Sequence, residues 1–135
     1  MVRDACLCLH LRRAARAATR RYDAALRPAG LTSGQFSLLM ALNRAEPAMI
    51  AAVADLLAMD RTTLTAALKP LARRGLVEVV VDPADRRSRP LLLTPAGHDL
   101  LVAALPLWRG AQAATERLVK DSGAERLRAE LRALS

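Results

Sequence analysis

Arg61, Thr62, Thr63 and Thr65, with Lys69 further along, place three hydroxyls and two cations within nine residues. A second set follows in Asp82-Pro83-Ala84-Asp85-Arg86-Arg87-Ser88-Arg89, where three guanidiniums crowd a polar, turn-forming stretch. Hydroxyls and guanidiniums without a partnered base are hydrogen-bond donors rather than catalysts, and they suit base edges and phosphates. No nucleophile elbow, phosphate-binding glycine loop, HExxH or carboxylate pair placed with a base occurs, so no enzyme activity is expected. Bulk charge agrees: 21 Lys plus Arg against 13 Asp plus Glu give a formal net charge of +8 and a pI near 11.1. Such a chain is drawn to a polyanion, either nucleic acid or an anionic membrane. With one Phe, one Tyr and one Trp it lacks the stacking platforms that single-stranded nucleic acid requires.

The elements that would carry these donors can be read from periodicity and punctuation. A length of 135 residues with 53% hydrophobic content, largely Ala, Leu and Val, predicts one mainly α domain. Leu7, Leu11, Ala14, Ala18, Tyr22 and Ala25 form one apolar stripe, which predicts a helix over 5–26 that Pro28 and Gly30 end. Thr32-Ser33-Gly34-Gln35 has the form of a capping box and predicts a second helix over about 33–44, apolar nearly all round and therefore central. A short helix over 49–57 and a three-residue connection lead to Asp60, which can cap a helix over about 61–74. In that helix Leu64, Ala67, Leu68 and Leu71 pack, while the donor run faces outward. Pro70 predicts a kink or early loosening, and Gly75 a left-handed stop. Val77–Asp82 and Leu91–Leu93 read as a hairpin with a basic tip, and Thr94-Pro95 launches a long helix that Pro106 should bend. Leu127, Leu131 and Leu134 mark a last amphipathic segment after Gly123.

Short helix, tight turn, outward-facing helix and basic hairpin is the order of a winged helix-turn-helix. An α-helix fits the major groove of B-DNA, where Arg61, Thr62, Thr63 and Thr65 would meet base edges and phosphates. The thin hairpin tip suits the adjacent minor groove, whose narrow A·T-rich stretches attract arginine, and Arg87 is the first choice there.

The runs Leu31-Thr32 with Gln35-Phe36, MDRTTLTAALKPLARRGLVEV and DPADRRSRPLLLTPAGHDLL resemble the MarR family of bacterial transcription regulators across nearly the whole chain. The resemblance implies an intertwined homodimer, with about 1–30 and 96–135 as dimerisation helices and about 32–95 as the DNA-binding lobe on a pseudo-palindromic operator. It implies that Asp85 braces the wing and Arg87 enters the minor groove, with Lys69, Arg86 and Arg89 completing the DNA-binding set. It also implies repression that ends when a small, often aromatic acid binds between dimer and lobes, or when a cysteine oxidises. Ala66 departs from the arginine that many members carry there.

Residues 1–31 hold seven basic and two acidic side chains, against seven and four in 60–90. The first stretch is read as a solvated face; phosphate contact or an anionic effector site over Arg12, Arg13, Arg16 and Arg20 are the alternatives. Arg16, Tyr22 and Phe36 are the effector candidates, the two rings being the available stacking surfaces. Cys6-x-Cys8-x-His10 contains soft ligands, but residues two apart on a helix point about 200° from each other. Both thiols would reach one ion only in an unwound segment or with a partner chain's help. No metal or other cofactor is expected. Cys8 lies 24 residues before Thr32 and aligns with the reactive cysteine of the family's organic-peroxide sensors; Tyr22 also matches their site, whereas Arg12 replaces a tyrosine. Cys6 and Cys8 are read as packing residues of a dimer helix, and a thiol-based peroxide sensor acting through Cys8 is the alternative. The Arg-rich start lacks the apolar core of a signal peptide, and no run approaches the ~18 apolar residues of a membrane span, so a cytoplasmic protein without membrane contact is expected.

Overall fold

The structure is a computed structural model that describes residues 1–120 and 123–135. It is mostly helical with one two-stranded antiparallel hairpin. In chain order the elements are α1 (Val2–Ala5), α2 (Leu7–Leu26), a 3-10 turn (Arg27–Ala29), α3 (Ser33–Leu42), α4 (Ile50–Leu57) and α5 (Arg61–Arg73). Strands β1 (Val77–Val79) and β2 (Leu91–Leu93) follow, then α6 (Pro95–Glu116) and α7 (Ala124–Leu134). The chain forms two compact units: residues 1–33 with 106–135, called here the helical unit, and residues 34–105, called the lobe. The boundary falls inside α6 at Pro106.

In the helical unit, the helix expected over 5–26 is α2, which starts at Leu7, and one separate helical turn, α1, precedes it. Cys6 takes an extended conformation, φ −76° and ψ 103°, and its Sγ accepts the Leu9 N–H at 3.5 Å as the cap of α2. A thiol two bonds from the backbone can satisfy a first-turn amide as a serine does, which stops the helix from running through. At the other end Gly30 has φ 68° and returns its N–H to the Arg27 carbonyl, the stop expected there. Asp23 Oδ1 accepts the Ser33 N–H at 2.7 Å, and that bond first, with the Ser33 side chain second, holds its carboxyl below the ordinary range. Toward the C-terminus Arg128 bridges Glu116 and Glu125, each at 2.8 Å.

The lobe has its own core. Phe36, Leu38, Leu39 and Leu42 of α3 are buried with Val53, Leu64, Leu68, Leu71 and Leu91, while Met40 remains half exposed. The second helix ends at Leu42, two residues before the expected position, because Asn43 and Arg44 turn their N–H groups back to Met40 and Leu42. Ala58, at φ 51°, ends α4 with its N–H on the Ala54 and Asp55 carbonyls. Pro70 stays inside α5, which runs on to Arg73. The Gly75 N–H reaches the Ala72 carbonyl and the Leu76 N–H the Leu71 carbonyl, so a Schellman pair closes the helix around the left-handed Gly75. Val77 pairs with Leu93 and Val79 with Leu91, and Ala48 adds a two-bond bridge to Leu91 that ties the segment before α4 to the hairpin. Thr94 Oγ1 accepts the Gly97 N–H at 3.0 Å and donates to the Gly75 carbonyl at 2.6 Å, so one hydroxyl caps α6 and pins it to the end of α5.

Candidate nucleic-acid interface

The site starts from Asp60. Its Oδ1 accepts the Thr63 N–H at 2.8 Å and its Oδ2 the Thr63 hydroxyl at 2.7 Å. The backbone bond, then the hydroxyl bond, lowers the Asp60 pKa below the ordinary carboxylate range. A charged N-cap favours the positive end of the helix dipole and so starts α5 at Arg61. Leu64, Leu68 and Leu71 then bury one face, which leaves Arg61, Thr62, Thr65 and Lys69 exposed on the other. Thr63 is exposed too, but its hydroxyl hydrogen is spent on Asp60.

The hairpin tip is built by two carboxylates. Asp82 Oδ1 accepts the Ala84 N–H at 2.9 Å, and Asp85 Oδ1 accepts the Arg87 N–H at 3.1 Å. Backbone bonds from Asp85 to Asp82 and from Ser88 to Asp85 close the turn. Arg89 folds its guanidinium onto the Arg86 and Ser88 carbonyls. Among the described residues the Arg61, Lys69, Arg86 and Arg87 side chains make no hydrogen bond or ion pair.

These parts meet. Met49, Ile50 and Ala51 at the start of α4, Arg61 and Thr65 of α5, and Arg87, Ser88 and Arg89 of the tip line one open concavity of about 340 Å³. Thr62, Thr63, Lys69 and Arg86 lie outside its walls. The sequence reading missed the contribution of α4, the second carboxylate at Asp82 and the inward turn of Arg89. The Asp-Pro pair was a usable signal for Asp82, because an aspartate before proline commonly organises a turn.

Other candidates lie elsewhere. Arg16 is exposed on α2, and the half-buried Tyr22 donates its hydroxyl to Gln112 Oε1 at 2.5 Å within the helical unit. Phe36 is buried in the lobe. Cys8 is exposed and Cys6 half-buried. His10 Nε2 lies 3.1 Å from the Asp4 carbonyl oxygen. Among the described residues no group of three or more His, Cys, Asp or Glu is placed to hold a metal, and no helix is long and apolar enough to cross a membrane.

A capped recognition helix behind a short helix and turn, followed by a two-stranded hairpin, defines a winged helix-turn-helix lobe. Residues 29–88 match the model of the MarR family. The chain is 38% identical over 79 residues to the HTH-type transcriptional repressor NicR of Pseudomonas putida, a match over 58% of this chain that spans half the length of NicR. It is 33% identical over 95 residues to the transcriptional regulator HosA of Escherichia coli O111:H-, covering 70% of this chain and 69% of HosA. The transcriptional regulator MosR of M. tuberculosis, solved in complex with DNA, superposes with a TM-score of 0.86 at 39% identity, covering 96% of this chain and 92% of that one. The chain belongs to the MarR family of transcriptional regulators.

Proposed function

We propose that this protein is a dimeric, sequence-specific double-stranded DNA-binding regulator, a repressor whose grip on a pseudo-palindromic operator is released by a small anionic effector. The observation that carries this reading is the concavity in which Arg61 and Thr65 of α5 face Arg87 of the hairpin tip, with both guanidiniums free of partners. Free cations on a preformed helix and wing are what a phosphate backbone engages without reorganisation. The DNA complex of MosR at 39% identity supports the same reading. A second copy of the chain is the partner that the helical unit calls for, since Leu7, Leu11, Leu131 and Leu134 leave apolar surface exposed on α2 and α7. For the effector, the exposed Arg16 supplies a charge for a carboxylate and Tyr22 a ring six residues further along α2.

Fluorescence anisotropy on DNA from immediately upstream of the protein's own gene, against scrambled DNA, tests the reading. Affinity should fall with salt at a log–log slope near −0.9 for each phosphate neutralised. Arg87→Ala should weaken binding about tenfold and lessen the preference for A·T at the flanks. Affinity independent of salt, or a preference unchanged by Arg87→Ala, would sink the groove assignment. The exposure of Cys8 favours a second reading, in which oxidation of its thiol releases DNA. Release by peroxide that persists in Cys8→Ser protein removes it.

A further inference from the structure

One wall of the concavity is neither a donor nor a cation. Met49 stands at the N-cap of α4, where Ser, Thr, Asp or Asn would ordinarily accept a first-turn amide, and its side chain makes no such bond. It is 49% exposed, its sulfur lies 3.9 Å from Ser88 Oγ, and it lines the same hollow as Arg61, Thr65, Arg87 and Arg89. A thioether is a weak acceptor and offers these donors little. Its sulfoxide is a polar group with an oxygen acceptor on the same stem.

We propose that Met49 is an oxidation site that weakens the DNA-binding surface: as the sulfoxide it sets an oxygen acceptor among Arg61, Arg87 and Ser88, which then bind it in place of DNA phosphate. The inference rests on the DNA-binding reading and is independent of Cys8 and of any effector. The oxidant is a hydroperoxide. A sulfur lone pair attacks its terminal oxygen, the O–O bond breaks, an S–O bond forms, and water or an alcohol leaves; sulfur gives up two electrons and the peroxide gains them. Competition comes from within the lobe, so it needs no second molecule once the sulfoxide has formed. The other strongly exposed methionines, Met1 and Met40, lie outside the concavity.

The test uses the full chain carrying Cys6→Ser and Cys8→Ser, treated with hydrogen peroxide until mass spectrometry shows the sulfoxide at Met49. Anisotropy on the upstream DNA then compares each protein with its own untreated form. Binding is expected to weaken about tenfold on oxidation, the size of losing one charge-assisted hydrogen bond, and to return after treatment with methionine sulfoxide reductase. Adding Met49→Leu should abolish the change. Met49→Gln, which carries an amide oxygen on a similar stem, should bind more weakly without oxidant. Undiminished binding by protein oxidised at Met49, or an equal loss in the Met49→Leu protein, overturns the proposal and leaves the DNA-binding reading standing. Untreated protein with no preference for the upstream DNA over scrambled DNA overturns both.

Discussion

The lobe and the helical unit are built from similar residues and differ in what they bury. Residues 34–105 enclose a core of leucines from α3, α5 and β2, several with almost no exposed surface. Among the described residues of the helical unit, only Leu26, Leu31 and Ala111 are buried, and α1 and α7 bury none. A fully buried leucine contributes about 1.5–3 kcal/mol, so the lobe carries its own stability, whereas the helical unit holds unspent apolar surface. Both units use side chains to satisfy backbone groups at helix starts, Asp60 and Thr94 in the lobe and Cys6 and Asp23 in the helical unit, but α7 is held by exposed Arg–Glu pairs that salt screens. A lobe with its own buried core is thus joined to a part that leaves apolar side chains exposed.

The comparison breaks most sharply in the core. Leu64→Ala should cost about 2–5 kcal/mol in denaturant unfolding, because a fully buried side chain leaves a cavity. Leu11→Ala, at a position 37% exposed, should change the unfolding of the lobe little and instead weaken self-association in analytical ultracentrifugation. Equal losses of stability would refute the division. Gly97→Ala comes next. Its added Cβ would sit 2.1 Å from the Leu76 carbonyl oxygen and 2.7 Å from Leu93 Cδ1, and making room should cost about 1–3 kcal/mol in thermal unfolding. Gly110→Ala in the helical unit meets nothing within 4 Å and is expected to be neutral or slightly stabilising.

The smallest effect concerns Asp60. Its pKa is lowered on folding, so its contribution is complete above the ordinary value of 3.8 and is lost as pH falls through the lowered folded value. Asp60→Asn keeps an N-cap acceptor without a titrating carboxyl, so its melting temperature should fall less steeply than that of the unaltered protein below that pH. Parallel curves would show that the Asp60–Thr63 bonds add nothing to the lobe.

Much of the lobe was legible in the chain because its signals are local. Asp60 before Arg61, Gly75 after α5 and Thr94-Pro95 before α6 each act within one helical turn, and the structure places each where the residue types required it. The runs that carried the MarR resemblance lie between Leu31 and Leu101, and the family model matches residues 29–88, so the two overlap over most of the lobe. The separate turn α1 before Cys6 escaped notice because the apolar stripe begins only at Leu7, and periodicity cannot register a sulfur that caps a helix. The end of α3 at Leu42 coincides with the last apolar residue of its pattern, and Asn43 and Arg44 beyond it turn back onto the helix end.

Contacts between residues far apart in the chain had no such signal. Ala48 bonding to Leu91, the Thr94 hydroxyl reaching Gly75, Met49 standing beside Ser88, and Asp23 accepting from Ser33 all depend on where elements come to rest. Residue type and spacing were enough to mark the candidate donors on α5 and the hairpin tip. Which of them share one hollow, which are spent on their own backbone as Arg89 is, and which thioether sits among them were decided by the packing of α4, α5 and the hairpin, because direction and distance between separate elements are properties of the folded core and not of the chain's local pattern.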